Sequence, residues 1–234
     1  MKSEMDKTKK NTLVIIVFSM FFYGCLYAQS ISERYKFPNT NIGKEAFNVY
    51  GGAGYMPYSG NLSNFFEPSD GGTLSLSYYT PNSMAYLLSL SGSFSKLKRN
   101  LSDIWQKGDS ATFYSVEFSA GYSLLNHVRW RVTPFCGLAL SASKPRKQTV
   151  KEHPELKQFK TGLTLSPALG VNITYKFIKP QRYSDFRGSA GCFALNMRID
   201  YVPFAVHKKN LLYHGGIWYL TMGVCLEIFN AGYF

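Results

Sequence analysis

The 234-residue chain is 45% hydrophobic and 16% aromatic but only 17% charged. Its 26 Lys and Arg outweigh 14 Asp and Glu for a net charge of +12, yet no basic helix or RNA-binding motif carries that charge, which argues against a nucleic-acid partner. An anionic membrane surface suits the balance better.

Residues 1–28 have the layout of a cleavable signal peptide. Lys7, Lys9 and Lys10 form a positive start, Leu13 to Phe22 an apolar core, and Leu26-Tyr27-Ala28 a cleavage site before Gln29. The apolar run is too short for a comfortable spanning helix. A rival reading takes Phe22-Tyr23-Gly24-Cys25 as a loose lipobox with Cys25 lipidated; either way the chain is exported. Residues 29–45 lack periodicity and read as a periplasmic leader, with one domain over 46–234.

From residue 46 the chain alternates with a period of two, the signature of a strand with one apolar face. Ala46–Tyr55 sets Phe47, Val49, Ala53 and Tyr55 against Asn48, Tyr50, Gly52 and Gly54. Gly72–Thr80 sets Leu74, Leu76 and Tyr78 against Thr73, Ser75 and Ser77. Ala85–Ser95 and Thr112–Leu124 follow the same rule, with Ser89, Ser91, Ser115, Glu117 and Ser119 on their polar faces. Val128–Ala142 carries Trp130, Val132, Cys136, Leu138 and Leu140 opposite Arg129, Arg131, Thr133, Gly137 and Ser141.

The sixth segment, TGLTLSPALGVNITYKF at Thr161–Phe177, is the most regular. Its apolar row runs from Leu163 to Phe177, well beyond the ~9–11 residues that a tilted strand needs to cross a bilayer. Ala190–Val206 and Gly216–Phe229 complete a set of eight. Their polar faces are Ser, Gly, Ala and Thr with few charges, as a narrow interior requires; the solvated face of a soluble sandwich or lipocalin-like barrel would hold more Lys and Glu. Aromatics gather at segment ends, where membrane girdles lie. Connections 56–71, 96–111 and 143–160 are long, 81–84 and 125–127 short, and 178–189 and 207–215 intermediate. The expected fold is an all-β, eight-stranded antiparallel up-and-down transmembrane β-barrel with its termini in the periplasm.

Seven charged residues fall on the polar faces: Glu117, Arg129, Arg131, Lys176, Arg198, Asp200 and Glu227. Buried charges must pair, so a salt-bridged lumen network is expected, with Glu117 and Glu227 reaching Arg129, Arg131 and Arg198. Such a lumen is a structural plug or, in the sharper reading, a polar conduit. Cys192 and Cys225 both point inward; a hairpin centred near 208–209 brings them almost opposite each other, close enough for a candidate disulfide, while Cys136 lies on the lipid-facing set.

Catalysis finds little support. His127, His153, His207 and His214 fall in connections or flank them, and none joins a Ser and an acid in a hydrolase constellation. No phosphate loop, metal-ligand spacing or cofactor motif stands out. Lys96, Lys98 and Arg99 in one long connection, and Lys144, Arg146, Lys147 and Lys151 in another, form candidate anion-binding loops.

On the signal segment, the eight alternating strands, the SPALGVNITYKF strand and the aromatic end at Phe234, residues 46–234 resemble the small outer-membrane β-barrels of Gram-negative bacteria, particularly the Bacteroidota type. The resemblance implies the bacterial outer membrane as location. It implies membrane lipid and lipopolysaccharide as partners, the barrel assembly machinery during biogenesis, and an envelope protein partner. Such relatives include structural anchors, surface-binding barrels and accessory parts of secretion or conjugation machinery; channels and lipid A-modifying enzymes are the alternatives. Phe234 is offset from the lipid-facing set that ends at Ile228, which moves an assembly signal toward Phe229.

Overall fold

The computed structural model describes residues 45–100, 103, 105–127, 129–145, 150–151, 154, 163–177, 181–182, 189–208 and 211–230. The signal peptide, Cys25, the leader before residue 45, His153 and Phe234 lie outside the described residues.

In chain order the elements are β1 (Ala46–Met56), β2 (Tyr58–Gly60), α1 (Leu62–Phe65), β3 (Ser69–Tyr79), β4 (Met84–Lys96) and β5 (Ser110–Tyr122). Then follow β6 (Leu125–Asn126), β7 (Trp130–Pro145), β8 (Thr164–Lys176), β9 (Gln181–Arg182), β10 (Ser189–Lys208) and β11 (Leu211–Asn230). The eight long strands β1, β3, β4, β5, β7, β8, β10 and β11 pair antiparallel, each with its successor. β1 also pairs with β11, from Ala46 opposite Phe229 to Tyr55 opposite Leu220, so the sheet closes on itself. The expected eight-stranded up-and-down barrel is the observed fold, and closure removes the open strand edges that would otherwise invite aggregation.

The burial pattern is that of a soluble protein turned inside out. Leu74 and Leu90 are 51% and 49% exposed and Phe118 and Leu165 both 62%, whereas Glu117, Arg131, Lys176, Arg198, Asp200 and Glu227 are 3% exposed or less. Leaving that outer row in water would forgo about 25 cal/mol for each Å² of apolar surface. Lipid supplies the missing apolar phase, and the period of two places one side chain in lipid for each one in the lumen. Within, small hydroxyls bridge facing strands: Thr73 and Ser91 lie 2.8 Å apart, Ser89 donates to Ser75 at 3.0 Å, and Ser123 and Thr133 lie 3.0 Å apart.

Three features of the connections go beyond what their lengths indicated or differ from it. Residues 207–215 are not a loop: the β10–β11 ladder continues to Lys208 opposite Leu211, leaving only 209–210 between the strands. The connection between β1 and β3 is ordered. β2 pairs with β11, Ser59 opposite Gly216, and α1 packs beside it. Finally, β7 starts at Trp130, so Arg129 sits in the turn before it.

The lumen and its two ion-pair clusters

Strand alternation delivers six of the seven expected charges to the lumen, where they sort into two groups. Nearer the long connections, Arg198 on β10 is held from three sides. Its guanidinium meets Glu117 Oε2 at 2.7 Å and Asp200 Oδ2 at 3.0 Å, and it also donates to Ser89 Oγ. Ser119 donates to the other Glu117 oxygen. The guanidinium stacks 4.7 Å from the centre of the Phe135 ring. This cluster holds two carboxylates for one cation.

In the cluster nearer the termini, the described residues set two cations against one carboxylate. Arg131 on β7 grips Glu227 on β11 in a two-pronged pair, Nη1 to Oε2 at 2.9 Å and Nη2 to Oε1 at 2.7 Å. Lys176 on β8 approaches Oε1 at 2.9 Å. Arg131 Nε donates to Asn126 Oδ1 at 3.2 Å, and its guanidinium lies 4.0 Å over the Tyr79 ring. Parallel N–H···O bonds fix the planar groups in angle as well as distance. Between the two layers, Tyr50 donates to Thr221 at 3.0 Å.

Arg129 does not belong to either cluster. It is exposed in the turn before β7, because alternation assigns a face only while the backbone remains a strand. Cys192 and Cys225 are buried free thiols rather than a disulfide. The hairpin is centred one residue later than the sequence suggested, so Cys192 lies opposite Glu227 and Cys225 opposite Ala194. A diagonal pair on adjacent strands sits ~7–8 Å apart, beyond the ordinary reach of a disulfide.

The long-connection end of the lumen carries a feature that periodicity could not foretell. Met56, Tyr58, Leu62, Phe66, Leu97, Trp105, Phe113, Val202, Ile217 and Tyr219 pack into one buried apolar cluster. Phe66 meets Phe113 edge-on at 5.0 Å and Trp105 at 6.1 Å, and Tyr58 lies 5.0 Å from Phe113. Tyr58 and Ser69 share a 3.0 Å hydrogen bond. Burial raises the Tyr58 phenol above its ordinary range. Tyr219 joins this cap to the wall by accepting a hydrogen bond from Ser115 at 3.2 Å.

On the rim, Lys96, Arg99 and Lys151 are exposed. Lys98 and Lys144 are half-buried and engaged: Lys98 Nζ donates to the Ser63 carbonyl at 2.9 Å, and Lys144 Nζ lies 5.4 Å from the Tyr114 ring centre. Arg146 and Lys147 lie outside the described residues. His127 is exposed in a turn, and His207 and His214 lie in the β10–β11 ladder opposite Leu212 and Ala205. No group of three or more His, Cys, Asp or Glu able to hold a metal occurs among the described residues.

No protein-family model matches the chain, and no curated protein matches it. Among solved structures it is similar to Neisserial surface protein A at 15% identity, covering 78% of this chain and 96% of that one with a TM-score of 0.45. It is also similar to Ail, the attachment invasion locus protein of Yersinia pestis, at 11% identity, 79% and 98% coverage and a TM-score of 0.43. A third is the outer membrane protein OprG from Pseudomonas aeruginosa, at 8% identity, 80% and 97% coverage and a TM-score of 0.48.

Proposed function

We propose that this chain is an integral outer-membrane barrel of a Gram-negative bacterium, of the Bacteroidota type, that acts through its outer rim and not through its lumen. The apolar outer wall and hydroxyl-lined interior support a transmembrane barrel over a soluble lipocalin-like one. The observation that carries the non-conducting reading is the aromatic cap around Phe66 and Phe113, stacked in line with two ion-pair clusters. An ion following the axis would have to displace packed rings and then pass two tightly held guanidinium groups.

With the lumen filled, surface binding is left to the rim. Lys96, Arg99 and Lys151 are exposed cations suited to phosphates of lipopolysaccharide or to an acidic glycan or envelope protein. Such binding fits a structural, adhesive or secretion-accessory barrel better than a lipid A-modifying enzyme, for which no catalytic constellation is evident among the described residues. The barrel would reach the membrane through the assembly machinery common to this class.

Planar-bilayer recording of the purified barrel tests the proposal. A protein that migrates heat-modifiably on gels and gives no discrete openings at ordinary salt fits the filled lumen. Discrete openings from the same preparation would replace that reading with a small-solute channel.

A further inference from the structure

The end of the barrel that carries the short turns, which faces the periplasm in a barrel of this class, is not uniform around its girth. Over β7, β8 and β10 its outer wall presents four aromatic side chains. Trp130 and Tyr175 are direct register partners, with ring centres 4.6 Å apart. Phe177 stands edge-on to Tyr175 at 5.5 Å, and its N–H donates to the Phe193 carbonyl at 3.3 Å. Trp130, Phe177 and Phe193 are 45%, 57% and 53% exposed, so the four form a ledge on the lipid side of the wall.

Arg129 is held beside this ledge. Its carbonyl accepts the Lys176 N–H from β8 at 2.7 Å, and the next carbonyl, that of Trp130, accepts the His127 N–H at 2.7 Å. The backbone around Arg129 is thereby fixed while its side chain is exposed. Residues 123–130 contain no Asp or Glu, and His127 is exposed in the same turn. Aromatic belts sit at headgroup depth, so a guanidinium just beyond Trp130 stands at the level of lipid phosphates. Its planar fork matches a phosphate with two parallel N–H···O bonds.

The opposite side of the ring carries the other sign. Phe47, Tyr78 and Tyr86 lie in register over β1, β3 and β4, and the Tyr78 hydroxyl bonds to Glu45. A carboxylate there repels an anionic headgroup. At Arg129 a zwitterionic headgroup would bring its own cation against the guanidinium, whereas an anionic one meets only attraction. We propose that the Arg129 turn and the Trp130–Tyr175–Phe177 ledge bind an anionic glycerophospholipid of the periplasmic leaflet. The phosphate lies on Arg129 and the acyl chains run along the rings. This site is at the far end of the barrel from the rim cations.

Brominated lipids, which quench tryptophan on contact, test this on the full barrel in phosphatidylcholine vesicles. Of the three tryptophans, Trp218→Phe leaves Trp130 as the one facing lipid, since Trp105 is 2% exposed in the cap. One arginine beside a membrane enriches anionic lipid about fivefold, so brominated phosphatidylglycerol should half-quench Trp130 at a mole fraction about fivefold below brominated phosphatidylcholine. Arg129→Gln should abolish that difference and leave heat-modifiable mobility unchanged. Moving the reporter to the acidic side, by Trp130→Phe with Tyr86→Trp in the same background, should show no preference. Equal quenching of Trp130 by the two lipids would overturn the proposal. So would a preference that survives Arg129→Gln or appears equally at position 86, because the overall positive charge, not this turn, would then gather the lipid.

Discussion

Arg131 and Glu227 join strands that are not neighbours in the wall. β7 borders β5 and β8, β11 borders β10 and β1, and the two side chains meet across the lumen through bonds of 2.9 and 2.7 Å. Among the described residues, Glu227 meets both Arg131, at 2.7 Å, and Lys176, at 2.9 Å. Glu227→Gln therefore removes the carboxylate that neutralises the buried Arg131 guanidinium and that Lys176 also meets. The expected loss is about 3–5 kcal/mol, because an uncompensated buried charge costs more than an intact pair contributes. Urea titration of the barrel in lipid vesicles, read by heat-modifiable mobility, measures it. A triple variant with Arg131→Met, Lys176→Met and Glu227→Leu should recover most of the loss.

The Arg198 cluster makes a matched prediction. Arg198 serves both Glu117 and Asp200, so Arg198→Met should be the most damaging change there, again by about 3–5 kcal/mol. Asp200→Asn removes the surplus negative charge and leaves a one-to-one pair; a change nearer 1 kcal/mol is expected. Equal losses for Arg198→Met and Asp200→Asn in the same urea titration would show that the cluster does not work by charge count.

Glycine is required where Tyr50 folds back over its own strand. A Cβ at Gly52 would lie 2.0 Å from the Tyr50 hydroxyl and 3.0 Å from the Met222 carbonyl. Gly52→Ala must therefore displace the phenol and break its 3.0 Å bond to Thr221. A loss of about 1–3 kcal/mol is expected, and Tyr50→Phe with Gly52 intact should cost less. Urea midpoints of the two variants decide the order.

The alternation legible in the sequence reached as far as the backbone remained extended. It placed Lys176 and Glu227 on one inner face although 51 residues separate them, since each strand needs only its own parity to be right. Arg129 escaped that rule because the chain turns before Trp130. The cysteines escaped it because parity is indifferent to a two-residue slide: both stay inward, but their distance depends on where the hairpin turns. The aromatic cap was least legible. Phe66 and Trp105 come from connections with no period, and only the closed barrel brings them above Phe113.

Exposed rim cations and engaged ones should respond differently to substitution. Lys96→Glu with Arg99→Glu leaves every contact described here in place, and it should weaken binding to vesicles containing lipopolysaccharide in a salt-dependent way. Lys98→Met removes the 2.9 Å bond to the Ser63 carbonyl in α1, so its effect should fall on stability, by about 1 kcal/mol. Vesicle co-sedimentation at two salt concentrations, beside urea midpoints, separates these effects. Unchanged sedimentation of the double variant would remove these two residues from the binding surface.

Phe66 sits at the centre of the cap, edge-on to both Phe113 and Trp105, and is 4% exposed. Truncating it to alanine should cost about 3–5 kcal/mol through lost burial and the cavity left behind. Stability alone would not reveal whether the cap closes the lumen. Recording the same variant in a planar bilayer would. Phe66→Ala alone should stay closed, because the Arg198 and Arg131 layers still block the axis. Combining it with Arg198→Ala and Arg131→Ala, which removes the guanidinium from each layer, should produce brief openings if the three layers act in series. If Phe66→Ala alone conducts steadily, the cap is the only barrier, and the ion-pair layers hold the barrel together without sealing it.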